Sequence, residues 1–279
     1  MQSVCPQYLL DDPKVRHTYK RLRSLSILLV KNIIEEFSAS DFRPAFFELH
    51  ANGEGANPAP TFFSLSDGTT VSFSGMVDRV DLYSKDDKVY IRVVDYKTGT
   101  KHFSLSDVDR GVNLQMLIYL FTLCRNRSKE FKRSIGLDDQ AQAIPAGVMY
   151  LSSNISLIDI DDYIDADEVM KRASAGVERT GVILNEQDIL LAMNRELDAN
   201  FLAGVKKNKD GALKGDALAS ADTFADIYER LEKVIEKFAG ALYSGNADAR
   251  PQRHGKSIPC TYCEARPICR KMNENGGKH

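Results

Sequence analysis

The sequence has no long apolar run, little net charge and few cysteines. No stretch approaches the roughly 18 consecutive apolar residues that a membrane helix needs, and the start, MQSVCPQYLLDDPK, lacks the basic and apolar regions of a signal peptide. Five cysteines, an odd number, are atypical of a secreted disulfide framework. These features predict a cytoplasmic protein. Because 37 basic residues nearly balance 39 acidic ones, affinity for a polyanion must depend on where the charges lie.

Of the 279 residues, 43% are hydrophobic, enough to fill a substantial core. The pattern of these residues predicts an α/β protein. An amphipathic helix is predicted from Pro13 to about residue 38, and we expect its basic first half to be a solvated face, with phosphate contact as the alternative. Strands follow at AFFELHA, TVSFSGMVDRVDLY and VYIRVVDYKT, then a buried helix from Leu114 to Leu123 and a strand at IPAGVMYLSSN. Residues 1–155 are therefore predicted to hold the core, and residues 156–279 a mostly helical extension packed on it as one domain.

Two adjacent strands direct charged side chains toward the predicted core. Side chains alternate across a strand, so Asp95 and Lys97 share a face with apolar Val93. In the preceding strand, Asp78 is in phase with apolar Val80. Two carboxylates and one ammonium are thus expected to meet from neighbouring strands.

Such charges are costly away from water unless they pair or bind a cation. A salt bridge explains one acid and one lysine, but the second carboxylate leaves an excess of negative charge that suits Mg²⁺ or Mn²⁺. Asp78 and Asp95 are then predicted to hold the metal, while Lys97 positions a water and stabilises charge at phosphorus. The chemistry predicted from these residue types is phosphodiester hydrolysis.

The helix that follows carries two polar residues on one face. Gln115 and Tyr119 are four positions apart in an otherwise apolar helix, so both side chains approach the sheet together. Satisfied hydrogen bonds in the core explain them equally well without a function.

The segments GMVDRVDLY, VVDYKTG and GVNLQMLIYL, in this order and at these separations, closely resemble the nuclease domain of the PD-(D/E)XK superfamily, in its RecB-like branch. The resemblance implies a restriction-endonuclease-like fold, a central mixed sheet flanked by helices. It also implies a metal-dependent deoxyribonuclease, with an exonuclease expected, that acts on single-stranded DNA. Its partner would be the A-type subunit of a helicase–nuclease complex for recombinational repair of double-strand breaks. By this resemblance Asp78, Asp95 and Lys97 bind metal and catalyse, and Gln115 and Tyr119 contact the site or the DNA.

Two further acids stay outside the predicted catalytic set. Glu48 lies in the strand that the family places before these motifs, but an ordinary edge-strand acid explains it as well. Asp81 is out of phase with Asp78, and we expect it to pair with Arg79 or Arg92 on the outer face.

The segment CTYCEARPIC contains three thiols, Cys260, Cys263 and Cys269. Three soft ligands at this spacing strongly indicate a metal or cluster, without fixing which one. From the residues alone, Zn²⁺ with His254 as the fourth ligand is a sufficient interpretation.

The resemblance implies instead a [4Fe-4S] cluster that joins these thiols to one upstream cysteine and staples the two ends of the domain. Cys5, within VCPQYLL, resembles that upstream ligand. Cys124 ends a buried helix and is expected to be an inert core thiol.

The chain departs from the family between Cys5 and the strands, where a helix with a His and acidic motif is usual. We therefore expect a C-terminal fragment of a larger protein; the alternative is that the resemblance of Cys5 is coincidental and that this chain lacks both the fourth cluster ligand and the first motif. The favoured hypothesis is a nuclease; the alternative is a catalytically inert module of the same fold that binds DNA or docks a partner. A zinc-dependent regulatory protein is a third hypothesis, which rests on the cysteines alone.

Overall fold

The computed structural model describes residues 12–51, 58, 61–64, 67–97, 99, 101, 103–152, 177–246, 248, 251 and 259–269. Within these ranges the α-helices are α1 (Pro13–Ala39), α2 (Leu105–Asp109), α3 (Gln115–Cys124), α4 (Lys129–Ser134), α5 (Gln187–Met193) and α6 (Ala221–Tyr243). Short 3₁₀ turns occur at Ala199–Phe201 and Pro259–Tyr262. None of the described helices combines the length and apolar character needed to cross a bilayer.

The strands are β1 (Arg43–His50), β2 (Thr61–Ser64), β3 (Thr70–Phe73), β4 (Met76–Lys85), β5 (Lys88–Lys97), β6 (Ile144–Ser152), β7 (Arg179–Leu184), β8 (Lys206–Lys207), β9 (Leu213–Lys214) and β10 (Leu218–Ala219). Six of them form one sheet in the order β1-β4-β5-β6-β7-β10. The sheet is mixed, because β5 runs parallel to β6 whereas β4 runs antiparallel to β5. The predicted α/β class, with a central mixed sheet flanked by helices, is confirmed.

The hairpin of β4 and β5 places the predicted catalytic strands at the centre of the sheet. Its turn residues, Asp86 and Asp87, have φ values of 50° and 59°, the left-handed conformation that two-residue hairpin turns require. The predicted single strand before this turn is in fact two strands, β3 and β4, separated at Ser74 and Gly75. Residues from Val89 to Asp95 are all buried, so β5 forms the middle of the core.

Helix α1 covers one face of the sheet with its second half only. Leu28 and Glu36 are buried, whereas Val15, Tyr19 and Leu22 are exposed. The predicted amphipathic helix is therefore present, but it packs on the sheet through its second half.

A buried ion network joins α1 to the sheet. The Glu36 carboxylate accepts from the guanidiniums of Arg79 at 3.0 Å, Arg92 at 3.0 Å and Arg179 at 2.8 Å. Asp81 pairs with Arg92 at 2.7 Å and also with Arg79. Burial raises the pKa of Glu36, but Arg92, Arg179 and Arg79 together lower it to about 2. The predicted partners of Asp81 are confirmed, but its predicted outer face is wrong, because α1 covers that face.

The C-terminal part of the chain also contributes to the sheet. Two strands there were not predicted: β7, which pairs antiparallel with β6, and β10, which pairs parallel with β7. Helices α5 and α6 and the antiparallel pair of β8 and β9 also lie in this part of the chain. The boundary predicted near residue 155 lies outside the described residues.

Candidate active site

The register of the hairpin places Asp78 beside Asp95. Arg79 pairs with Val94 and Val80 with Val93, so the next position along each strand brings the two aspartates together. They share the face of the sheet on which α3 packs, opposite α1. Asp95 is only 5% exposed, and Asp78 is half-buried.

Lys97 lies on the same face and is ion-paired with Asp95, with 2.6 Å between Nζ and Oδ2. Burial raises the pKa of the Asp95 carboxyl, Lys97 opposes that rise, and the negative charge of Asp78 adds to it. The structure therefore brings together the three residues that the sequence predicted, two carboxylates and one lysine.

Asp78 is held by the backbone of the neighbouring strand. The Tyr96 N–H donates to its Oδ2 at 3.0 Å. Tyr96 points to the opposite face, where its hydroxyl accepts from Arg79 at 2.9 Å. The segment between Asp95 and Lys97 is thus fixed from the opposite face of the sheet by the buried ion network.

Glu48 lies beside Asp78 on the other side of β4. Phe47 pairs with Arg79 and Leu49 with Val77, which places Glu48 opposite Asp78 in the ladder. Its φ of 50° is uncommon for a residue other than glycine, and such conformations cluster at functional sites. The Glu48 side chain is exposed.

Gln115 and Tyr119 contact each other on α3, as their spacing predicts. The Gln115 Nε2 donates to the Tyr119 hydroxyl at 3.0 Å. The Tyr119 ring lies against Gly75, where an added Cβ would come within 2.5 Å of that hydroxyl. Tyr119 therefore packs on the segment that leads into β4 and Asp78, and Gly75 is a residue that the sequence analysis missed.

Tyr150 is a second residue that sequence reasoning missed. It is the β6 partner of Asp95 in the parallel ladder and is 3% exposed. Burial, followed by the charges of Asp95 and Asp107, raises the pKa of its hydroxyl. Its alternation within IPAGVMYLSSN could have placed it on this face, but the pairing of β6 with β5 could not be read from the sequence.

The described residues provide two carboxylates at this site but no larger group of candidate ligands. Within those ranges, no set of three or more His, Cys, Asp or Glu residues could hold a metal ion. Mg²⁺ is commonly bound by one or two carboxylates, completed by water and substrate phosphates, so Asp78 and Asp95 fit such an ion.

The C-terminal cysteines lie in and after the last 3₁₀ turn. Cys260 and Cys269 are half-buried and Cys263 is exposed. Among the described residues, these thiols are not part of any group of three or more that could hold a metal ion. Their arrangement therefore does not itself provide a cluster site. Cys5 and His254 lie outside the described residues. Cys124 is buried, and burial raises the pKa of its thiol.

Comparisons with known proteins match nearly the whole chain to one family. The PD-(D/E)XK nuclease superfamily model matches residues 3–270. The B-type subunit of the ATP-dependent helicase/deoxyribonuclease of Clostridium acetobutylicum is 30% identical over 265 residues, which are 94% of this chain and 22% of that protein. The B-type subunit of the same enzyme from Thermoanaerobacter sp. strain X514 is 28% identical over 282 residues, covering all of this chain and 24% of that protein. The chain thus spans about a quarter of the length of these relatives. It belongs to the PD-(D/E)XK nuclease superfamily.

Proposed function

We propose that this chain is a divalent-metal-dependent deoxyribonuclease domain that hydrolyses phosphodiester bonds at Asp78, Asp95 and Lys97. The observation that carries the proposal is the meeting of two carboxylates from adjacent strands, with a lysine 2.6 Å from one of them. A salt bridge alone does not account for the second carboxylate, whose charge raises the pKa of the first.

Asp78 and Asp95 would hold Mg²⁺ or Mn²⁺ through hard oxygen ligands. When bound, such an ion lowers the pKa of water and polarises a phosphoryl oxygen. Asp78 is oriented for this role by the Tyr96 N–H, and Asp95 by its position in the buried middle of the sheet.

Lys97 contributes the cationic group of the reaction. Its side chain is about one-third exposed, so the ammonium can reach both Asp95 and an incoming phosphate. It orients the attacking water and stabilises the negative charge that develops on the phosphoryl oxygens. Gln115 and Tyr119 support the entry of β4 and are available to the DNA.

The names of the relatives support a wider setting for this activity. We propose that the chain is part of an AddB-like protein, that its partner is the A-type subunit of the helicase–nuclease, and that it works in cytoplasmic DNA repair by recombination. A domain fed by a helicase motor receives single strands, so single-stranded DNA is the proposed substrate and exonucleolytic cleavage the proposed mode.

We also propose a [4Fe-4S] cluster on Cys5, Cys260, Cys263 and Cys269. This part rests on the spacing and on the family resemblance alone, since the thiols among the described residues do not form a group that could hold a metal ion. Anaerobically purified protein should be brown and contain iron, and Cys260→Ser should lose both. Colourless protein with stoichiometric zinc would support the zinc interpretation instead.

The test of the proposed function is degradation of labelled single-stranded DNA with Mg²⁺ or Mn²⁺. Lys97→Ala should abolish cleavage. The matched control, Lys88→Ala, removes an exposed lysine at the opposite end of β5 and should cleave like the parent. If parent and Lys97→Ala are equally inactive while both bind DNA, the chain is the inert binding module. Cleavage that survives in Lys97→Ala would refute the assignment.

A further inference from the structure

A second lysine lies on the catalytic face of the sheet, four positions after Lys97. The Lys101 ammonium is 5.8 Å from the centroid of the Tyr150 ring, within the range of about 6 Å for a cation–π contact. Tyr150 is the ladder partner of Asp95. Lys101 therefore lies one strand away from the catalytic carboxylates.

The backbone that carries Lys101 is fastened to two strands. The Ser152 hydroxyl donates to the Gly99 carbonyl at 3.4 Å, and the Thr180 hydroxyl donates to the Lys101 carbonyl. Ser152 belongs to β6 and Thr180 to β7, so the Gly99 and Lys101 carbonyls are anchored to two neighbouring strands. The Lys101 side chain is half-buried.

Lys101 is close to the site, but the contacts of its ammonium group differ from those of Lys97. Burial raises the pKa of Asp95, and Lys101 is one of the groups that oppose this rise. Lys97 forms an ion pair with Asp95, whereas the contact of the Lys101 ammonium is with the Tyr150 ring. A half-buried ammonium that packs on a ring rather than in an ion pair can accept an external anion.

We propose that Lys101 binds a backbone phosphate of single-stranded nucleic acid next to the phosphate that is hydrolysed. The inference rests on the proposed function and deepens it, because it adds a phosphate subsite over β6. The bound strand then crosses the sheet from the hydrolytic centre on β4 and β5 toward β7. The free energy of binding this phosphate comes from one charge-assisted contact. Tyr150, Ser152 and Thr180 preorganise Lys101 for that contact.

The experiment measures the affinity of a labelled single-stranded oligonucleotide at several salt concentrations without divalent metal, so that nothing is cleaved. Loss of one phosphate contact lowers the slope of log Kd against log salt by roughly 0.7. Lys101→Ala should lose that much slope and bind roughly 5- to 10-fold more weakly at low salt. Lys101→Arg should restore the slope, and Lys88→Ala, exposed and distant, should match the parent.

Cleavage by the same variants separates the subsite from the hydrolytic centre. With Mg²⁺ present, the loss in Lys101→Ala should appear in KM, whereas Lys97→Ala should lose kcat. A Lys101→Ala variant with the slope of the parent refutes the subsite, even if its melting temperature falls, since that outcome marks a purely structural lysine. If Lys101→Ala shows the expected loss of slope but the parent cuts no DNA, the proposed function fails while the phosphate subsite stands.

Discussion

Glu36 should be among the most important single residues for stability, because it pairs with three buried guanidiniums. Replacing it by Gln keeps the shape and removes the charge, which leaves Arg79, Arg92 and Arg179 short of one anionic partner. The pKa of Glu36 falls from 4.5 to about 2 in the folded chain. A shift of this size corresponds to about 3 kcal/mol of folding free energy at neutral pH, at the lower end of the range of about 3–5 kcal/mol for breaking a buried ion pair.

Urea unfolding at pH 7 measures this cost. With a slope of about 3 kcal/mol per molar urea, Glu36→Gln should lower the midpoint by about 1 M. The control is Asp188→Asn, which removes an exposed partner of Lys85 at 2.5 Å. Solvent screens that pair, so the midpoint of the control should hardly move.

The same variant predicts a pH dependence with a defined sign. The folded pKa of Glu36 is below its unfolded value, so its stabilisation is complete above pH 4.5 and is lost as the pH falls toward 2. The difference in the free energy of unfolding between the parent and Glu36→Gln should therefore shrink by about 1 kcal/mol between pH 6 and pH 4. A midpoint like that of the control, or a gap that stays constant with pH, would show that the network does not stabilise the fold through this charge.

Three further predictions concern the site and the helices. Asp78→Ala should weaken Mn²⁺ binding in a metal titration by at least about tenfold, a loss that even indirect changes around metal ligands produce; binding as tight as in the parent would disprove its role as a ligand. Gly75→Ala places a methyl group within 2.5 Å of the Tyr119 hydroxyl, so DNA cleavage should fall, whereas Gly240→Ala, which meets nothing within 4 Å, should cleave like the parent. Leu28→Ala should cost about 2–4 kcal/mol in urea unfolding, because Leu28 is 5% exposed, and Leu22→Ala should be nearly neutral, because Leu22 is 57% exposed; equal effects would mean that the first half of α1 is also packed.

The hairpin that carries the candidate site could be predicted from the sequence because it depends on local patterns. The alternation of side chains along β4 and β5 fixes which residues share a face, and a short turn fixes the register between the strands. Asp78, Asp95 and Lys97 could therefore be grouped from the order of residues alone. Gln115 and Tyr119 followed from helical spacing for the same reason.

Contacts between distant segments could not be predicted in this way. Glu36 is 43 positions from Arg79 and 143 from Arg179, so nothing in its local pattern distinguishes it from an ordinary polar helix residue. Tyr150 became part of the site only through the parallel pairing of β6 with β5. Likewise, β7 is short and lies beyond residues 153–176, and only its pairing with β6 reveals it as a sheet strand.

The alternation of side chains in β4 also limits how the sequence of this strand can evolve. Asp78 lies on the face of the candidate site, while Arg79 and Asp81 belong to the ion network on the other face. Inserting or deleting one residue within the strand would exchange the two sets, moving Arg79 into the candidate site and Asp78 beneath α1. Point substitutions can therefore adjust either face separately, whereas a change in length between Gly75 and Asp81 would destroy both at once.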